Sequence, residues 1–517
     1  MPPFRARRAP LPLLALLALV GLLATLLSAP SATARPDTTG PGKAAGATPS
    51  AAERALTRAQ RVLDGSLRGD ATLALRDLAL RLDELDAGDR VAAQRVLARP
   101  TGGKDEDSYG NNPVSSRCSD VVCVHWVQSG PEATTAGYAQ TTLDTATAVH
   151  RRYVAAGYKA PKPDAGKGGN SLPDIYIANI GDRRLYGYCT TDEKRPFKAP
   201  WDRYAYCVVD NDYQASEFPT NTPLENLQVT IAHEYFHAVQ YAYDFAEDGW
   251  LLEATAAWVE DELYDSVDDN RQYLAASPLR QPRKSMDQFD PATGYHYGVW
   301  IFFRYLGERF PASQGGLPTI VRDIVRRADG SGSARKDQYS WQAVSSVLRA
   351  RKTTPEKIFT AFSAANRRPV KTYSEGAGYR KAPLAGKVQL AKRQVTRQVR
   401  LSHLSSATYR VTPGRALKGP KWKLRVSLDM APTYRGSQAV ITLYLKNGTQ
   451  RVTTVKLNKQ GDGRKAVAFA RGKVSWAEVT LANASGRFAC WKQTYFSCQG
   501  VAKDDRLQQR VTFRAVK

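Results

Sequence analysis

The chain has 517 residues, enough for two or three domains with substantial cores rather than one small domain. Its net charge of +25 is concentrated at one end: residues 371–517 carry 30 Lys and Arg against 6 Asp and Glu, while residues 1–370 carry 44 against 43. Its six cysteines never occur as C-x2-C, which argues against a thiolate zinc cluster.

The first segment reads as a secretory signal peptide, residues 1–34. Arg5, Arg7 and Arg8 precede an apolar run from Leu11 to Leu27, and "SATA" supplies a cleavage site after Ala34. An uncleaved membrane anchor is the alternative. Residues 35–50 have the composition of a disordered leader. Residues 51–100 then read as helix, with Leu73, Leu75, Leu78, Leu80 and Leu82 near one broad face and a stop at Pro100. Such a piece is either a pro-segment or a packing arm.

Residues 115–370 form the main predicted domain. Aromatic and β-branched content predicts strands at 172–180 and 203–213. A helix before them carries His150, read as a boundary residue rather than a ligand. An even, sparse set of cysteines in an exported chain predicts disulfides. Sequence proximity favours Cys118 with Cys123, Cys189 with Cys207, and Cys490 with Cys498. From 385 to 517, short alternating runs such as "KWKLRVSLDM", "QAVITLYLK" and "VSWAEVTLAN" are separated by Gly, Asn and Asp. That spacing predicts a β-sandwich. There is no nucleotide-binding glycine pattern, heptad repeat or zinc finger, and no specific nucleic-acid partner is expected.

The chemistry concentrates in "TPLENLQVTIAHEYFHAVQYAYDFAEDGWLLEATAAWVEDE", residues 222–262. Thr222, Pro223 and Glu225 announce a helix start with a capping box, and the helix is predicted to run over 223–243. His233 and His237 lie one turn apart on one face, close enough to share a cation, with Glu234 on the adjacent strip. This is H-E-x-x-H. A third ligand is expected on the next helix. Glu253 is preferred because it lies near the hairpin among Leu252, Ala254 and Ala257. Glu260, two turns on, is the alternative and otherwise reads as part of a solvated acidic run. Trp250 and Trp258 are expected in the core.

These residues, with "NRQYL", "GYHYGVWIFFRYLGERF", "YGYC" and "YCVVDNDY", resemble secreted actinobacterial zinc metallopeptidases of the gluzincin type (H-E-x-x-H plus Glu) over most of 115–370. The resemblance implies an α+β fold: a zincin-like metallopeptidase domain, mostly helical with a small sheet, followed by the β-sandwich domain. It also implies His233, His237 and Glu253 as Zn2+ ligands and Glu234 as general base, in a secreted, extracellular endopeptidase acting on protein or peptide substrates. Only fifteen residues separate His237 from Glu253, which implies a short hairpin. Ala257 stands where some relatives have an acidic residue, so the outer support of the histidines is not identified.

An oxyanion needs a donor besides zinc. "GYHYG" offers Tyr297, with His296 behind it. Calcium has weak support from the oxygens of "DNDY" (210–213) and "YDSVDDN" (264–270), which read as solvated turns. The basic balance of 371–517 predicts retention on an anionic cell-wall polymer or membrane surface, without a part in shaping the active site. The competing functions are a non-catalytic cell-wall or polyanion-binding protein and a zinc amidase acting on non-protein amides.

Overall fold

The computed structural model describes residues 48–101, 107–334 and 337–517. The signal-peptide segment and residues 35–47 of the leader lie outside them. Residues from Pro49 to Lys517 form one compact unit.

Three short helices open it: α1 (Ala51–Leu63), α2 (Ala71–Ala79) and α3 (Ala87–Val96). Each has a side-chain N-cap, from Ser50, Asp70 and Asp86 respectively. Leu73, Leu75 and Leu78 are fully buried, while Leu80 and Leu82 pack at the edge of the core.

A five-stranded mixed sheet follows, from β1 (Val114–Cys118), β2 (Cys123–Val127), β3 (Asp174–Ala178), β4 (Gly187–Thr190) and β5 (Tyr206–Asp210), in the order β1-β2-β3-β5-β4. β3 and β5 are the two predicted strands, each a little shorter than its apolar run. Between β2 and β3 runs α4 (Ala136–Ala155). Its His150 is half-buried, with Nδ1 2.8 Å from the Tyr235 hydroxyl and no role as a ligand. Of the run 210–213, read as a solvated turn, Asp212 is exposed but Asp210 and Tyr213 are buried. Asp210 is fully buried, and its carboxylate accepts from the backbone N–H groups of Ile180, Gly181, Asp212 and Tyr213. Asp210, Asp212 and Glu217 also bring one carboxylate oxygen each within 4.8 Å of one another.

The site helices are α5 (Pro223–Tyr241) and α6 (Gly249–Leu263). Beyond them come α7 (Trp300–Arg309), a small hairpin of β6 (Ser313–Gln314) and β7 (Leu317–Pro318), α8 (Thr319–Arg327), α9 (Trp341–Ala350) and α10 (Pro355–Ala365). The C-terminal region is β-rich: β8 (Gly386–Leu390), β9 (Val395–Leu401), β10 (Ser405–Pro413), β11 (Lys423–Asp429), β12 (Ser437–Leu445), β13 (Gln450–Thr454), β14 (Asp462–Ala468), β15 (Val474–Asn483), β16 (Phe488–Ala489), β17 (Val501–Ala502) and β18 (Leu507–Val516). They form sheets in the orders β13-β12-β15-β10-β8 and β14-β11-β18-β9, beside a β16-β17 hairpin. Inward Leu424, Val426, Val479, Leu481, Val511 and Phe513 fill a separate core, as alternating strands of a sandwich require. The fold is therefore a mostly helical region with a small mixed sheet, followed by a β-sandwich. All three disulfides pair as proximity favoured. Among the described residues, no helix is long and apolar enough to cross a membrane.

The sandwich does more than trail behind. Asp248, the N-cap of α6, accepts from the backbone N–H groups of Cys498 (2.5 Å) and Gln499 (3.2 Å). Asp287 takes the Ser497 hydroxyl and lies 3.0 Å from His403 Nε2, and buried Arg367 is paired with Glu478 at 2.9 Å. The expectation that 371–517 stand apart from the site is corrected by these contacts, because the disulfide loop of Cys490 and Cys498 holds the start of the helix that carries Glu253.

Candidate metal centre

α5 begins as its sequence dictates. Thr222 Oγ1 accepts from Glu225 N, Glu225 reaches back to Thr222 N, and Pro223 takes the first turn. The helix packs against α4, α6, β4 and β5, so even its polar residues at 233, 234 and 237 are buried. Gly187 of β4 allows the close approach, since a Cβ there would lie 2.8 Å from Glu234 Cγ.

α5 and α6 form the short hairpin. It places His233 Nε2 3.2 Å from Glu253 Oε2 and His237 Nε2 3.4 Å from Glu253 Oε1. The three residues form a buried group whose ligand atoms lie within 4.8 Å of one another.

The outer faces of both rings are held. His233 Nδ1 lies 2.5 Å from Glu260 Oε1, and His237 Nδ1 lies 2.7 Å from Gln240 Oε1. Gln240 is fixed in turn by donating to Leu252 O and Thr255 Oγ1 of α6. Both partners of Nδ1 are acceptors, so each Nδ1 carries the hydrogen and each Nε2 presents a lone pair toward Glu253. Two lone pairs and a carboxylate facing one another call for a cation between them. His237 Nε2 and Glu253 Oε1 are buried and lack a hydrogen-bond partner. The residues thus fit a divalent metal. Burial opposes protonation of His233, but hydrogen bonds to Glu253 and Glu260 outweigh it and raise its pKa well above the usual value. Without a cation the same carboxylates therefore attract protons instead.

Two supports were missing from the sequence reading. Glu260 is not on a solvated face; it is 4% exposed and orients His233 rather than replacing Glu253. Its seven-residue offset from Glu253, two turns along one helix face, was the available signal. Gln240, three residues after His237, had a similar but weaker one. Trp250 and Trp258 are fully buried in the core, as expected.

Glu234 lies beside the cluster and accepts from the Thr72 hydroxyl at 3.1 Å. Burial raises its pKa, while His233 and His237 pull it down. The Tyr297 ring lies 6.0 Å from the His233 ring and 4.4 Å from the His296 ring, centroid to centroid. The Tyr297 hydroxyl donates to Asp70 Oδ2 at 2.9 Å, and burial keeps that phenol protonated. His296 Nδ1 accepts from Asp290 N, and burial lowers its pKa to about 4. His296 is therefore neutral, with its hydrogen on Nε2, a buried donor without a hydrogen-bond partner. Asp70 and Thr72 were not singled out in the sequence, because nothing local ties them to a histidine pair more than 160 residues away.

No protein-family model matches the chain, and no curated protein gives a significant match. Among solved structures, the pre-peptidase C-terminal domain of collagenase from Bacillus anthracis aligns over 26% of this chain and 97% of its own, at 8% identity and a TM-score of 0.16. A family GH115 4-O-methyl-α-glucuronidase aligns over 70% of this chain and 54% of its own, at 10% identity and a TM-score of 0.14. Likenesses of this size carry no information about the fold or chemistry of the chain.

Proposed function

We propose that the protein is a zinc-dependent peptidase of the gluzincin kind that works outside the cell. The observation that carries this reading is the pair of imidazoles whose Nε2 lone pairs converge on Glu253, with an acid beside them that no structural metal site needs. His233, His237 and Glu253 would hold the zinc. When bound, zinc supplies a Lewis acid for a peptide carbonyl and an acidified water. Glu234, beside the cluster and holding the Thr72 hydroxyl, would take the proton of the attacking water and return it to the leaving amine. Tyr297 and neutral His296 are the donors we assign to a developing oxyanion. Full pairing of the cysteines among the described residues fits an oxidising compartment. Turnover of casein or a peptide library that is present in wild type and lost in Glu234→Gln tests the reading. Equal turnover in both would overturn it.

A partner is proposed for the basic end as well. On the outer face of the β14-β11-β18-β9 sheet, Arg425 stands directly opposite Arg514, with Lys423 and Arg464 beside them, and among the described residues none of these has an ion-pair partner. Like charges in register oppose folding. An anionic polymer laid across the face, of the kind that cell walls present, would relieve that repulsion.

A further inference from the structure

The cavity beside Glu234 and Glu253 measures about 130 Å³. That is room for roughly four water molecules, whereas clefts that take sizeable organic ligands span several hundred Å³. The space left at the cluster is a narrow, half-open cleft, too small for a peptide as it stands. Part of the closing wall is the turn 69–72, which leads from the exposed loop after α1 into α2.

The contacts of this turn fall on the groups that a peptide would need. The Asp70 carboxylate takes the Tyr297 hydroxyl at 2.9 Å and stands 3.9 Å from His296 Nε2, the two donors proposed for the oxyanion. While Tyr297 donates to Asp70, its hydrogen is not available to a substrate. The Thr72 hydroxyl donates to Glu234 at 3.1 Å and accepts from the backbone N–H of Cys189 at 3.0 Å. Cys189 lies on β4, an outer strand of the mixed sheet, where backbone groups can pair with an extended peptide. A carboxylate between two oxyanion donors, with a hydroxyl on the base, imitates a bound substrate.

We propose that the turn 69–72 is a built-in inhibitor: Asp70 occupies the oxyanion position, Thr72 occupies the base and the β4 edge, and the turn withdraws before a peptide binds. The proposal rests on the peptidase reading above. Arg99, buried among Asp164, Asp174 and Asp192, fastens the far end of this N-terminal segment to the rest of the protein. Opening therefore belongs to the turn and the helices beside it. Excision of the whole segment would strand three carboxylates.

The test is calorimetry on the full-length zinc-loaded chain with two probes, acetohydroxamate and a tripeptide hydroxamate. In the Asp70→Ala/Thr72→Val double variant, the tripeptide probe should bind roughly tenfold tighter or more, the scale of one lost charge-assisted hydrogen bond. Acetohydroxamate, small enough for the narrow cleft, should change little. Asp70→Asn keeps the cap of α2 and should fall between. In wild type, saturation with the tripeptide probe should speed hydrogen exchange at the Leu73 amide, which donates to Asp70 Oδ1 at 2.8 Å. Equal or weaker tripeptide binding in the double variant overturns the proposal, as does unchanged protection of Leu73. Weakening of both probes by one factor would make Asp70 a positioning residue for Tyr297 and overturn it too. Failure of wild type to bind acetohydroxamate would fall on the metal centre itself and take the proposal with it.

Discussion

Glu260 and Gln240 touch no substrate in this arrangement, yet each fixes which nitrogen of a histidine is free. Replacing either with Ala should lower zinc affinity by about 10- to 100-fold, read by competition with a chromogenic chelator. Glu234→Gln should retain zinc and stability while peptide turnover falls by about 10²-fold or more. A Glu234→Gln protein that loses zinc would move Glu234 into the ligand set. The histidines, Glu234 and Glu253 were legible because helix geometry converts a spacing of four into one face, and a short hairpin limits where the next acid can sit. Burial of Glu260 was not legible: an acidic run reads as solvated until α5 and the 269–276 turn are known to pack on α6.

At the scale of elements, the α5 capping box and the alternating strands of the sandwich follow from local patterns that tertiary contacts reinforce. What local pattern did not show is how α6 and the loop after it are fastened to the sandwich. His403 sits in that seam, with Nε2 3.0 Å from Asp287 Oδ1 and Nδ1 3.1 Å from Asp505 Oδ1. Burial opposes its charge, but the two carboxylates prevail and raise its pKa to about 9, above the ordinary value near 6.5. The folded state holds this proton more tightly than the unfolded chain. Its stabilisation is therefore complete below about pH 6.5 and is lost as pH rises through about 9. The thermal midpoint of wild type should fall over that window, and the fall should flatten in His403→Gln. A midpoint that rises with pH there would contradict the assignment.

For the whole molecule, the seam changes what truncation should do. Removing residues from 385 onward strips Arg367 of Glu478 and Asp248 of two amide donors. Breaking a buried pair such as Arg367–Glu478 costs about 3–5 kcal/mol, so the truncated chain should unfold well below the full chain in urea instead of persisting as a free enzyme. The basic face can be tested without truncation. Arg425→Glu/Arg514→Glu should lose retention on anionic wall polymer or heparin at low salt, and wild-type retention should fade as salt screens charge over about 8 Å. Retention that survives both the substitutions and high salt would assign binding to another surface. The charge asymmetry was plain in the sequence; the placement of arginines in register was not, because register is set by pairing across strands distant in the chain.

The central claim is that His233, His237 and Glu253 together hold a metal. Elemental analysis of the purified full chain, after dialysis against metal-free buffer, tests it most directly. The account predicts about one zinc per wild-type chain and a small fraction of that in Glu253→Ala, with both proteins folded. Full zinc content in Glu253→Ala, or none in wild type after zinc is supplied, would contradict it.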